Sequence, residues 1–359
     1  MLEVKNLSRR YGSFDAVKDL NFKIESGGIY GLLGPNGAGK STTMNMITGY
    51  LAPTSGNVLI DGHDITKEPL EAKKRTGYLP EVPPLYPDLT VREYLNFVSE
   101  LKKIKSSSRS GVVGELMDRT KLYPVEGKLI RNLSKGFRQR VGIAAALIGY
   151  PDLIILDEPT AGLDPAQIIE IRELILSLKD KHTVILSSHI LQEISAVCDH
   201  IMVISHGKLM ANDTPERIAD SMNVENRTEL IIKAEEISLK EALNGVGFIT
   251  SYTVETGNDG LLKTDIKSAQ GSDIREALFD LCAGRGFKIF DMRSDIMSLE
   301  DVYMKLTSDE YAFSLQENIE DKDPSPALRM TRDDKSGIAA DNAAEITEED
   351  VPGMEKEEM

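Results

Sequence analysis

The stretch "IYGLLGPNGAGKST" (29–42) is compatible with few folds. An apolar run ends in glycine, a glycine-rich turn follows, and Lys40, Ser41 and Thr42 open a helical pattern. Residues 34–41 fit G-x-x-x-x-G-K-[ST], the strand–loop–helix phosphate-binding loop. Glycines let successive backbone N–H groups converge on phosphate oxygens, and the helix N-terminus adds partial positive charge. Gly34, Pro35, Asn36, Gly37, Ala38, Gly39, Lys40, Ser41 and Thr42 are therefore candidate nucleotide-binding residues. Lys40 is expected at the β- and γ-phosphates and Ser41 on Mg²⁺.

A second apolar strand, "LIIL" (153–156), ends in Asp157 and Glu158. Alone this reads as a strand running into a solvated acidic turn. Beside a phosphate-binding loop it reads differently, because ligands of parallel sheets sit at the carboxyl ends of the strands. Asp157 is then expected to hold Mg²⁺ and Glu158 to accept a proton from an attacking water. A third strand, "TVILSS" (183–188), ends at His189, which could reach a γ-phosphate.

Around these motifs strands alternate with helices, which implies a largely parallel sheet. Short strands fill residues 1–60, and "SHGKLMAND" (205–213), after the last alternating strand, reads as a closing hairpin. The segment "EVPPLYPD" (81–88) carries three prolines and cannot be helix interior. A helix starts after it, with Thr90 and Glu93 in a capping-box pattern and Val91, Tyr94, Leu95, Val98 and Leu101 as its apolar stripe. "LSKGFRQR" (133–140) opens another helix with a Ser cap and a basic first turn. From about residue 224 the order becomes βαββαβ, which suggests a small ferredoxin-like domain closed by the helix "SLEDVYMKLTS". "GNDG" is read as a turn within it.

Net charge is −16, and residues 309–359 hold 16 acidic and 5 basic side chains. That balance argues against nucleic acid as a partner. The tail, broken by "KDPSP", is expected to be disordered. No apolar run approaches the ~20 residues of a membrane span. The start, "MLEVKNLSRRYG", lacks the apolar core of a signal peptide. These features predict a soluble cytoplasmic chain. Cys198 and Cys282 are far apart with no CxxC, so buried thiols are expected rather than a disulfide or zinc site.

The ordered series of motifs resembles one family over about residues 2–220, the nucleotide-binding subunits of ABC transporters. Residues 34–42 match its Walker A loop, 153–158 its Walker B strand with the catalytic glutamate, "GLDP" (162–165) its D-loop, and His189 its switch histidine. Tyr11 matches the aromatic that stacks on adenine. "LSKGF" stands where the family has LSGGQ. The resemblance implies that two such domains pair head to tail, so that Ser134 and the Gly136 backbone touch ATP held by the partner, with Asp164 also at that interface. A Ser cap on a helix N-terminus suits an anion. Three departures stand out: Lys135 replaces a glycine, Phe137 replaces glutamine, and Glu81 occupies the Q-loop position, where a carboxylate can still ligate Mg²⁺. "GYLPE" and "SLEDVYMKLT" look like the ABC-2-type export and gliding-motility branch.

The expectations follow. The fold is α/β, a P-loop NTPase of ABC type with an antiparallel β subdomain and a helical insert (about 82–150) in domain 1–220. A small α+β, ferredoxin-like domain occupies 224–308 and an acidic tail 310–359. The function is ATP hydrolysis by Glu158, His189 and Lys40, with ATP bound by Tyr11, residues 34–42, Ser134, Gly136 and Asp164, and metal bound by Ser41, Glu81 and Asp157. The chain is expected to act as a homodimer, or paired with a homologous ATPase subunit, on the inner face of the cell membrane. A separate permease would dock near 81–90, where Leu85 and Tyr86 look exposed. The alternatives are a soluble ABC-type ATPase uncoupled from transport and a small-molecule kinase or GTPase. The first usually carries two nucleotide domains in one chain, or a long coiled coil; the second would not place "LSKGFRQR" before "LDEP".

Overall fold

The structure is a computed structural model that describes residues 1–221, 226–257, 260–268, 274–295 and 298–308. The acidic tail and the centre of the "GNDG" turn lie outside the described residues.

Three sheets organise the described residues. The first is antiparallel, in the order β2 (Phe14–Ile24), β1 (Leu2–Tyr11), β4 (Ser55–Ile60), β5 (His63–Asp64). The second has six strands: β10 (Lys208–Asp213), β9 (His200–Ser205), β3 (Ile29–Leu33), β8 (Thr183–Ser188), β7 (Leu153–Leu156) and β6 (Thr76–Leu79). Its strands pair in parallel except for the β9–β10 hairpin. The purely apolar sequences of β7 and β3 suit strands covered on both faces.

Helices α1 (Lys40–Ile47), α2 (Pro69–Lys74), α3 (Val91–Leu101), α4 (Ser106–Arg119), α5 (Lys135–Leu147), α6 (Pro165–Leu176), α7 (Leu191–Ser195) and α8 (Pro215–Ser221) surround these sheets. Two cores result. One lies between the antiparallel sheet, α1 and the parallel sheet. The other lies between the opposite face of the parallel sheet and α3 to α7.

The Thr90–Glu93 capping box forms as its spacing predicts. Val91, Tyr94 and Leu95 are buried and Val98 packs on the core, but Leu101, the last residue of the helix, is exposed. In the proline segment, Tyr86 is exposed as expected, whereas Leu85 packs against the core.

The third sheet is antiparallel throughout, in the order β12 (Ile249–Thr256), β13 (Leu262–Ser268), β11 (Asn226–Lys233), β14 (Lys288–Asp295). With α9 (Glu236–Asn244) and α10 (Arg275–Gly284) it follows the βαββαβ order around a core of its own. The last helix, α11 (Leu299–Thr307), was expected to close this unit. Its buried Val302 and Leu306 instead join the core of the parallel sheet, where α11 lies against α8, β9 and β10. Among the described residues no helix is long and apolar enough to cross a membrane.

Candidate active site at the carboxyl ends of the parallel strands

β8 lies between β3 and β7, so the loops that follow these three strands meet at one edge. The register pairs Leu33 with Ser188 and Leu156 with Leu186. A cleft of about 380 Å³ opens there, lined by residues that include Tyr11, Lys40, Ser41, Thr42, Glu81, Glu158 and His189.

The loop itself depends on glycine. Gly39 has φ of 105°, and a Cβ there would lie 2.6 Å from the Ala16 carbonyl; at Gly34 it would lie 2.2 Å from the Ile204 carbonyl. No side chain fits either contact. Lys40 is buried, and its Nζ donates to the carbonyls of Gly34 (2.8 Å) and Pro35 (3.3 Å) and lies 3.6 Å from Glu158 Oε1. A cation is thus held between loop and carboxylate, at the place where phosphate charge would need neutralising.

Asp157 is buried beneath the loop. It accepts from Ser187 Oγ at 2.6 Å and from Ser41 Oγ at 3.4 Å. Ser187 Oγ in turn accepts from the Glu158 amide at 2.8 Å. Glu158 adopts φ of 47°, a left-handed conformation that costs a non-glycine residue on the order of 1–3 kcal/mol. It turns the carboxylate from the strand into the cleft, where Oε2 meets His189 Nδ1 at 3.1 Å. Glu158 and His189 are therefore already paired.

Tyr11 and Phe14 form the cleft's aromatic end, and the Arg9 guanidinium lies 4.7 Å from the Tyr11 ring centre. Phe14 was not singled out from sequence; its position three residues after Tyr11, across a two-residue turn, is the signal that could have found it. Ser187 and the buried Glu193 were also missed. Tyr303, on α11, is raised in pKa by burial and by the negative charge of Glu158, so the last helix lies within electrostatic range of the site.

Ser134, Gly136 and Asp164 do not line this cleft. Ser134 caps α5, accepting from the Phe137 amide at 3.4 Å, and Asp164 caps α6, accepting from the Gln167 amide at 2.9 Å. Gly136 packs beneath the Gln167 side chain of its own chain, where a Cβ would lie 2.5 Å from Oε1 and would push that flexible side chain aside. Lys135 reaches across to the next loop, where a Cβ on Gly162 would lie 2.4 Å from its Nζ. Phe137 packs on the core beneath the Arg140 guanidinium. A groove of about 480 Å³, lined in part by Arg131, Lys135 and Arg138, shares Glu81 and Ala161 with the cleft.

A glycine loop at the end of β3, paired acids at the end of β7 and a histidine at the end of β8 define an ATP-binding cassette. Comparison with known proteins places it more closely. The ABC transporter family profile matches residues 17–161. The chain is 35% identical over 308 residues to the bacitracin transport ATP-binding protein BcrA of Bacillus licheniformis, covering 85% of this chain and 97% of that one. It is 30% identical to the linearmycin resistance ATP-binding protein LnrL of Bacillus subtilis, covering 86% and 98%. Among solved structures, an ATP-binding subunit of an ABC transporter aligns with a TM-score of 0.57 at 32% identity, covering 62% of this chain and 93% of that one. A dimeric post-hydrolysis state of the cassette MJ0796 bound to ADP and Pi aligns with a TM-score of 0.55 at 27% identity, covering 60% and 98%. The chain belongs to the ABC transporter family, as an ATP-binding subunit that hydrolyses ATP.

Proposed function

We propose that two copies of this chain, or one copy and a homologous ATPase subunit, close head to tail on two molecules of ATP. The closed pair then drives a separate permease, in the direction of export, at the inner face of the cell membrane. The observation that carries this reading is a division of labour. Lys40, Glu158 and His189 converge in one cleft, while Ser134 and Gly136 sit on the tip of α5 outside its lining. A tip supplied by a second molecule would complete the site around a phosphate in the cleft.

Within the cleft, Tyr11 stacks on the adenine and the loop amides hold the phosphates. Lys40 exchanges its carbonyl partners for phosphate oxygens. Glu158 accepts a proton from water, and His189 holds the Glu158 carboxylate and hydrogen-bonds the γ-phosphate, stabilising charge that develops there. The Ser41 hydroxyl and Asp157 carboxylate, already neighbours, are the residues that would hold Mg²⁺, with Glu81 at the rim; oxygen donors of this kind suit a hard cation. Mg²⁺, when bound, neutralises phosphate charge.

We assign residues 1–220 as the nucleotide-binding domain and 224–308 as an accessory domain whose last helix returns to the first. The permease is proposed to dock near 81–90. Val82 and Tyr86 are 80% and 54% exposed, and Tyr86 meets Phe97 edge-on at 5.4 Å. An adjoining cleft of about 360 Å³ is lined in part by Tyr78, Pro84, Tyr94 and Val98.

The test is Glu158→Gln. Turnover is expected to fall by about 10²–10⁴-fold, the usual worth of a general base. Tagged Glu158→Gln protein should trap an ATP-bound dimer and co-purify with a multi-span membrane protein from ATP-treated membranes. A variant that stays monomeric with ATP, or turns over at a near-native rate, refutes the reading.

A further inference from the structure

One acid behind the cleft takes no part in the chemistry above. Glu193, in the first turn of α7, is only 8% exposed. Its Oε2 accepts two hydrogen bonds, from Thr160 Oγ1 at 2.6 Å and from Ser188 Oγ at 3.1 Å. Both donors are themselves buried. Thr160 lies two residues after Glu158, and Ser188 immediately precedes His189. Ser188 Oγ also accepts from the Ile190 amide at 3.0 Å, closing the turn that carries His189. A single carboxylate oxygen therefore links the segment bearing the base to the segment bearing the histidine.

Burying a carboxylate is costly unless it is well hydrogen-bonded, and apolar side chains of similar size often stabilise as well or better. Stability alone is thus a weak reason for an acid here. Geometry offers a stronger one. The Glu158–His189 contact joins two loops that follow different strands, so their relative position must be set from outside the pair. Ser187 sets the near side, bonding Asp157 and the Glu158 amide. Glu193 sets the far side, beyond the left-handed turn at Glu158.

We propose that Glu193 is a positioning residue for ATP hydrolysis. It acts through Thr160 and Ser188 to hold Glu158 and His189 in register, and touches no nucleotide itself. The inference rests on the roles proposed above for that pair.

The test is steady-state ATPase on the full chain at fixed protein concentration, with Glu158→Gln as reference. Glu193→Leu should lower kcat by about 10–100-fold, the scale on which small misplacements of catalytic groups act. KM for ATP, and binding of a fluorescent ATP analogue, should stay within about twofold, since the substitution removes no nucleotide contact. Glu193→Gln keeps a carbonyl acceptor for both hydroxyls and should recover most of the rate. Thr160→Val, a near-isosteric change, should reproduce several-fold of the loss even if Glu193→Leu folds poorly. Adding Thr160→Val to Glu193→Leu should cost nothing more, as expected of residues acting as one unit. Full kcat in Glu193→Leu or in Thr160→Val overturns the inference. So does a parallel fall of kcat, ATP affinity and melting temperature, or a Glu193→Gln variant as slow as Glu193→Leu. If Glu158→Gln retains turnover, the underlying assignment of the base fails instead.

Discussion

The placement of α11 makes a prediction that separates the two ends of the chain. Val302 and Leu306 are 0% and 2% exposed and belong to the core of the parallel sheet, not to that of the third sheet. Truncating a buried leucine to alanine costs about 2–5 kcal/mol, through lost transfer energy and the cavity left behind. Val302→Ala removes two methyl groups, about 1.5 kcal/mol at ~0.8 kcal/mol per buried carbon. The two positions are one helical turn apart and share a cavity, so their costs will not add fully. A loss of about 4 kcal/mol is the central expectation for the double variant, near three powers of ten in an equilibrium constant. Hydrogen exchange read peptide by peptide is the assay. Amides of β9, β10 and α8 should lose protection by up to that factor, while those of β11, β12 and β13 keep theirs. If protection falls in the third sheet and holds in β9 and β10, the reasoning is wrong and α11 serves the small domain.

Other predictions are simpler. Gly34→Ala should abolish nucleotide binding measured by fluorescence titration, because its Cβ would meet a backbone carbonyl that no rotamer change can relieve. Tyr11→Ala should weaken ATP binding by about tenfold, and Phe14→Ala by less, on the scale of 1–3 kcal/mol per stacked base; unchanged affinity in both would remove the aromatic end of the cleft from the nucleotide site. His182 is buried, which holds its pKa below the ordinary value, and its Nδ1 is 2.7 Å from the Pro151 carbonyl. The unfolded chain therefore binds a proton near pH 6.5 that the folded chain refuses, so stability is full above that pH and declines below it. His182→Asn should flatten the fall in melting temperature between pH 7.5 and 5.5, and an unaltered slope would assign that fall to other groups.

Much of the site could be read directly from the sequence, because its parts are short and contiguous. The glycine loop, the Asp157–Glu158 pair and His189 each end an apolar run, and parallel pairing brings such ends together. The segment between β4 and α3 was harder. β6, "TGYL", is only four residues long and carries a strand-weakening glycine, so its pairing with β7 decides it; Gly77 is needed because a Cβ would lie 2.2 Å from the Ala146 carbonyl of α5. Glu193 was missed, since nothing local records that Thr160 would pack against it. Gly136 was read toward ATP on a partner and Lys135 only as a departure from the motif, although within the chain they already fit against Gln167 and Gly162.

Local chemistry alone determined which loop can cradle phosphate, which residues carry the carboxylates and the imidazole, and that the region after 224 follows a different strand order. These are properties of glycine conformations, of hydrophobic runs and of their spacing, and they need no knowledge of distant neighbours. Tertiary structure decided the rest. It paired Glu158 with His189, buried Glu193 behind them, kept the α5 tip out of the cleft, and sent α11 back to the core between the parallel sheet and α3 to α7. Each of these depends on which surfaces meet, and an amphipathic helix or a lone acid carries no local mark of the partner that will cover it.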